Sequence, residues 1–271
     1  MSSMPQTPTG IAYQRQGPSG QRPVLLIHAG VADRRMWDPQ RESLTATRDT
    51  IRLDLRGFGE STSKPHGRLD HAGDVIETLD HLDIAGCHVV GSSLGSGVAV
   101  EVALTRPDLV RSLLLCPPGG SLLASLTPDL RNFFDTEQAA LARSDIEAAV
   151  DANVATWVVG NGRIESELEP AVPAAVRQMQ RNAFQITAAW GEVDEAELEP
   201  PALDRLAELD QPMLVLVGGR DLDAIHDAAA RVCAGVRQVQ RVDWDDVAHL
   251  PSMEQPQAFG KLLRDWTAAR E

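Results

Sequence analysis

Val89-Val90-Gly91-Ser92-Ser93-Leu94-Gly95-Ser96-Gly97-Val98-Ala99 is the stretch from which the rest of the chain can be read. A β-branched pair enters it, a run of small residues leaves it, and its centre is G-x-S-x-G with Ser93 as the serine. Strand, sharp turn and helix in that order put such a serine at the tip of an elbow. The physical ground is crowding. A turn this tight strains the backbone and brings strand and helix close together, and Gly91 and Gly95 remove the side chains that would collide. The Ser93 hydroxyl then stands clear of the sheet, beside the free N–H groups of the first helical turn. Two phosphate-binding readings fail here. Gly97 is followed by Val98 and Ala99 where a P-loop needs Lys and Ser/Thr, and position 100 is Val where a dinucleotide fingerprint needs its third Gly.

A nucleophilic serine needs a histidine base, a carboxylate to orient that base and donors for an oxyanion. The 271 residues suffice for one substantial α/β core, with or without an insertion. Apolar content of 43% and charged content of 24% are those of an ordinary globular protein. A formal charge of −14 argues against nucleic acid and anionic membrane surfaces as partners. Acid is concentrated between Glu192 and Asp210, which reads as a solvated face or linker. Cys87, Cys116 and Cys233 form no C-x-x-C pair, so neither a zinc ribbon nor a dithiol centre is indicated, and the first two read as buried strand residues. The first ten residues lack an apolar leader and no run is long enough for a membrane span, so a cytoplasmic protein is the expectation.

Strands are expected at 11–15, 24–27, 51–55, 87–91, 113–115, 213–217 and 236–242, with helical patterns between them. That alternation implies α/β architecture with a mostly parallel, doubly wound sheet. From 121 to 209 the alternation stops and helices are expected throughout, at 130–143, 145–159 and 174–190, with Ser144-x-x-Glu147 as a capping box. The expected organisation is a sheet domain, 1–120 and 210–271, interrupted by a helical insertion, 121–209.

In an open parallel sheet, ligands gather beyond the carboxyl ends of the strands. His28, Ser93 and Asp221 occupy such positions, and His249 follows the last strand. Four segments now carry a resemblance: Leu26-Ile27-His28-Ala29-Gly30 with Trp37; Asp54-Leu55-Arg56-Gly57-Phe58-Gly59-Glu60-Ser61; 90–95; and Leu250-Pro251-Ser252-Met253-Glu254-Gln255-Pro256 after His249. Together, and in that order, they resemble the α/β-hydrolases of the serine esterase, enol-lactonase and haloperoxidase-like branch, over residues 11–266. The resemblance implies an α/β-hydrolase fold of about eight strands with a helical cap insertion. It implies Ser93 as nucleophile, His249 as base and Asp221 as the orienting acid, with the backbone N–H groups of Gly30 and Leu94 as oxyanion hole. Ala29, Ser96 and Ala248 stand where the family usually has glycine.

Other residues have plainer readings. His28 reads as a brace for the loop after its strand, and His66, His71, His81, His88 and His226 as surface or helix-end residues. Asp223 rivals Asp221 for the acid, while Asp243, Asp245 and Asp246 read as solvated. Asp54 and Arg56 read as loop braces. The cap implied by the family offers Phe133, Phe134, Trp157, Phe184 and Trp190 as pocket walls; Met36 and Trp37 read as packing residues, with the pocket as a second reading of Met36. Met36, Phe134, Trp157 and Phe184 are the substrate-binding candidates, in a chain whose aromatic content is only 4%.

The implied activity is hydrolysis of a small ester or lactone bearing an apolar group, through an acyl-enzyme and with no metal or organic cofactor. An aspartate-nucleophile dehalogenase or epoxide hydrolase is excluded by Ser93. A hydrolase-fold receptor or regulator with slow or single turnover is the competing reading, and C–C bond hydrolysis and perhydrolysis stay open. Oligomeric state is not legible.

Overall fold

Val24–Ile27 is apolar at every position and fully buried, as a strand covered on both faces must be. The computed structural model describes residues 4–271 and places this strand, β2, near the middle of a seven-stranded sheet. The other strands are β1 (Tyr13–Gln16), β3 (Thr50–Leu53), β4 (Cys87–Ser93), β5 (Val110–Pro118), β6 (Met213–Gly218) and β7 (Val239–Trp244). Their order is β1-β3-β2-β4-β5-β6-β7, with β1 antiparallel and every other pairing parallel. Seven strands therefore stand among the described residues where about eight were expected, at the positions read from the sequence to within a few residues.

The helices are α1 (Asp38–Thr45), α2 (His71–His81), α3 (Leu94–Thr105), α4 (Pro128–Ala142), α5 (Ile146–Asn153), α6 (Ala171–Ala188), α7 (Asp223–Gly235), α8 (Pro251–Glu254) and α9 (Pro256–Ala268). From β2 the chain steps one way along the sheet to β3. From β4 it steps the other way through β5, β6 and β7. Right-handed crossovers then put α1 on one face and α3 and α7 on the other. The packing agrees: α1 lies against α9, and α2 lies against α3. On α9, Phe259, Leu263 and Trp266 recur at helical spacing and are buried, and Phe259 meets Trp37 with ring centroids 5.9 Å apart. Each such side chain contributes about 1.5–3 kcal/mol of apolar burial.

Three local expectations change. The cap of α5 is Asp145, which accepts from the Ala148 N–H at 3.1 Å, and not Ser144. Ser144 is used one step earlier, closing α4 at a φ of 59° with its N–H on the Leu141 carbonyl. Residues 121–209 are not helical throughout. A π-helical stretch, Val154–Val159, follows α5, and 191–201 is irregular. There Gly191, the pair Pro200-Pro201 and like charges at Glu195 and Glu199 oppose a helix, and Leu69 exchanges backbone hydrogen bonds with the segment at 2.8 Å. His88 is not a surface residue. It is 1% exposed, with Nδ1 2.8 Å from Ser112 Oγ across β4 and β5.

Cys87 and Cys116 are buried in β4 and β5 as expected, and burial pushes the Cys87 thiol up to about 12. Among the described residues, no helix is long and apolar enough to cross a membrane.

Two predictions follow from this packing. A Cβ at residue 91 would lie 2.3 Å from the Gly95 carbonyl oxygen, so Gly91→Ala should cost at least about 1–3 kcal/mol in urea unfolding. An unchanged midpoint contradicts the crowding. Burial pushes the His88 imidazole down from 6.5 to about 4, aided by Arg48 and opposed by Glu271. Between those values the unfolded chain binds the proton and the folded chain does not, so this group's stabilisation is lost as pH falls. His88→Gln should lose less stability than the native chain on acidification from pH 6.5 to about 4. Equal losses contradict it.

Candidate active site

The direction of winding reverses between β2 and β4, and the crevice beyond that reversal is where open α/β sheets bind ligands. Gly30 follows β2 and Ser93 ends β4, so both lie at its edge. Ser93 has φ 53° and ψ −113°, a left-handed conformation that a non-glycine residue adopts only when its surroundings impose it. They do so by contact. A Cβ at Gly95 would lie 2.5 Å from the Ile27 carbonyl oxygen, so α3 starts directly against the end of β2.

At the end of β6, Asp221 is 2% exposed and points its carboxylate at the loop after β7. Its Oδ2 accepts from His249 Nδ1 at 2.7 Å, and its Oδ1 accepts from the Leu222 N–H at 2.9 Å. With Nδ1 donating, His249 keeps Nε2 as the ring's acceptor. His249 is itself 1% exposed and lines the same cavity as Ser93. The rival Asp223 is exposed at the start of α7, and Asp243, Asp245 and Asp246 are exposed as expected.

Gly30 and Leu94 border that cavity beside Ser93, and a Cβ at Gly30 would lie 3.6 Å from the Leu94 side chain. The Leu94 N–H is the first of α3 and therefore has no intrahelical acceptor. The loop carrying Gly30 is held from beneath. His28 donates from Nδ1 to the Ala29 carbonyl at 2.8 Å and accepts at Nε2 from the Leu55 N–H at 2.9 Å. Both ring nitrogens are thus occupied, and burial holds the imidazole below its usual range, which is the chemistry of a brace. Asp54 accepts from the Arg34 and Glu60 N–H groups, each at 2.9 Å, and Arg56 pairs with Asp74. These two also brace loops.

Met36 is a correction. It is fully buried, its sulfur accepts from the Ala29 N–H at 3.3 Å, and it is not among the residues lining the cavity. Alanine at 29 keeps its N–H on this thioether, so Met36 supports the loop and does not face a ligand.

The cavity, about 500 Å³, lies between the sheet edge and the helices α4 to α6 that separate β5 from β6. Phe133, Phe134, Trp157 and Phe184, four of the five aromatics named above, line it. Phe133 packs on Phe134 and Trp157 at centroid distances of 5.3 and 5.1 Å. Trp190 lies elsewhere, donating from its indole to the Thr62 carbonyl at 3.2 Å. Trp157 sits on the π-helical stretch, with its ring 4.4 Å from that of His249. Among the described residues, no group of three or more His, Cys, Asp or Glu side chains is arranged to hold a metal ion.

Sequence reasoning missed what ties the insertion to the His249 loop. Arg163 donates to the Val158, Val159 and Asp246 carbonyls at 3.0, 2.8 and 3.1 Å, and pairs with Glu254 at 2.6 Å. Glu254 also accepts from the Ala248 N–H at 2.8 Å, next to His249, and burial pushes its carboxyl up. Asn161 donates to the Asp221 carbonyl at 3.0 Å. Glu254 stands inside a quoted motif, but Arg163 carried no signal, since two of its partners, the Asp246 carbonyl and Glu254, lie more than eighty residues along the chain.

A doubly wound sheet, a serine elbow and a roofed cavity at the winding reversal define the architecture of alpha/beta hydrolases. A model of the alpha/beta hydrolase family matches residues 24–262, and the chain belongs to that family. It is 27% identical over 259 residues to the dihydrolipoyllysine-residue acetyltransferase component of the acetoin cleaving system of Cupriavidus necator, covering 94% of this chain and 65% of that protein. The chain thus spans less than two thirds of that relative's length. A thermophilic esterase from Thermogutta terrifontis superimposes with a TM-score of 0.73 at 28% identity, over 96% of this chain and 93% of that one. The enol-lactonase from Burkholderia xenovorans LB400 shares the fold, with a TM-score of 0.77 at 22% identity, over 95% and 96% of the two chains.

Removing Arg163 would leave the Glu254 carboxylate buried without its cation. Arg163→Met should therefore cost about 3–5 kcal/mol in urea unfolding, with part recovered in the Arg163→Met, Glu254→Leu double variant. A loss below about 1 kcal/mol would show that the pair does not hold the insertion down.

Proposed function

We propose that the chain is a serine hydrolase cleaving small esters or lactones, with Ser93 as nucleophile, His249 as base and Asp221 as its orienting acid. The observation that carries this is the buried Asp221–His249 pair opening onto the cavity that the strained Ser93 also lines. The esterase activity named for the Thermogutta terrifontis protein supports the reaction class. Residues 121–209 act in this reading as a cap unit, and 1–120 with 210–271 as the core that carries the chemistry.

In the first half-reaction, His249 Nε2 takes the Ser93 proton as Oγ attacks the carbonyl carbon. The N–H groups of Gly30 and Leu94 hold the oxyanion of the tetrahedral intermediate. Its collapse breaks the bond to the alkoxy oxygen, which leaves with the proton carried by His249. Water then repeats the sequence on the acyl-enzyme and releases the acid. Asp221 fixes the tautomer of His249 and stabilises the imidazolium. The indole of Trp157, 4.4 Å from that ring, excludes water and adds a π-face to the transient cation. Phe134 and Phe184 contribute apolar wall for the acyl or alcohol group.

Ser93→Ala should lower kcat on a short-chain aryl ester by about 10⁴-fold or more, with the urea midpoint essentially retained. Asp221→Asn should lose a comparable factor through the wrong tautomer. Ester turnover surviving in purified Ser93→Ala contradicts the assignment.

A further inference from the structure

The roof of the cavity is not uniformly apolar. Glu137 on α4, Asn153 at the end of α5 and Gln180 on α6 all line it, each four residues from an aromatic of the wall, Phe133, Trp157 and Phe184. Asn153 and Gln180 are 2% and 5% exposed, so these are built-in polar groups and not solvent-facing ones. Asn153 donates from Nδ2 to Glu137 Oε1 and to the Ala149 carbonyl. That leaves Asn153 Oδ1 and the second Glu137 oxygen as acceptors. Gln180 Oε1 is buried and has no hydrogen-bond partner among the described residues. Such an orphaned acceptor costs stability unless something else supplies the donor.

The charge is equally one-sided. Among the described residues, Glu137 and Glu195 line the cavity and no Lys or Arg joins them there. Burial pushes the Glu137 carboxyl up, and Asn153 alone among its neighbours draws it back. A partly buried carboxylate without a cation beside acceptor atoms lacks a positively charged hydrogen-bond donor.

We propose that the Glu137–Asn153–Gln180 patch binds an ammonium group, so that the substrates are amine-bearing esters or lactones whose apolar stem lies along Phe133, Phe134 and Phe184. Glu137 supplies the countercharge, and Asn153 and Gln180 accept the remaining N–H bonds. An anionic group of the same length meets two carboxylates and is excluded. This specificity rests on the hydrolytic reading of the site given above.

The test uses matched esters in two series, because the ammonium can ride on either side of the scissile bond. Phenyl 6-aminohexanoate is compared with phenyl heptanoate, phenyl 6-hydroxyhexanoate and the phenyl monoester of adipate. 2-(Dimethylamino)ethyl butyrate is compared with 3-methylbutyl butyrate. In at least one series kcat/KM of the native chain should favour the amine over its neutral isostere, and the adipate ester should be poorest in its series. Glu137→Gln keeps an oxygen for Asn153 and should lower the amine-to-neutral ratio about tenfold, whatever its rate on the neutral ester. Preference for the neutral isostere in both series overturns the proposal without any variant, as does a ratio unchanged in Glu137→Gln. Preference for the hydroxy ester over the amine places a neutral donor there and also overturns it. If the chain turns over none of these esters, the hydrolytic reading fails separately. Recognition is then read by calorimetry on Ser93→Ala, with and without Glu137→Gln. Tighter binding of the amine that the second substitution abolishes supports the proposal, and equal binding of amine and isostere overturns it.

Discussion

Close approach of backbone to backbone around Ser93 is the constraint on which the rest of this structure depends. The first turn of α3 is pressed against the carboxyl end of β2, leaving no room for a side chain at 91 or 95, and the residue between strand and helix takes a φ of 53°. The strain is affordable because β2 and β4 up to Ser92 are buried, so their contacts over-determine one residue. Its consequence is position: a hydroxyl clear of the sheet, a free helical N–H next to it, and the loop after β2 across from it.

The remaining parts are held by separate means. Asp221 and His249 come from turns after β6 and β7 and meet through one buried hydrogen bond of 2.7 Å. The loop carrying Gly30 rests on His28 and Met36, and the helical insertion is fastened to the His249 loop by Arg163, Glu254 and Asn161. That fastening also sets Trp157 over the imidazole. The cavity is therefore bounded by two independently braced surfaces. The sheet edge is conformationally strained and fixed, while the insertion is held by polar contacts and carries the groups that face a ligand's distal end.

Strands, their parallel order and the positions of Ser93, Asp221 and His249 were legible because short apolar runs and glycine turns are local signals. His28 was legible as a brace for the same reason, being one residue beyond a buried strand. Ser144 misled by one position, since the serine that matches a capping box is spent in closing the preceding helix. Met36 misled because its burial beneath the Ala29 N–H depends on how a loop folds back on itself. His88 resembled a surface histidine until its Ser112 partner, on a different strand, came alongside. Glu137, Asn153 and Gln180 sit on three helices with no shared spacing, so only the packed insertion brings them to one wall.

The central claim is that the hydroxyl at 93 is activated by the imidazole at 249. Intact-mass spectrometry after exposure to an alkyl fluorophosphonate reads this directly, because the reagent phosphonylates only a hydroxyl made nucleophilic by an adjacent base. One adduct per chain is expected, mapped to the peptide containing Ser93 and absent from a folded His249→Ala variant. An adduct on another residue, or labelling of Ser93 that persists without His249, would contradict it.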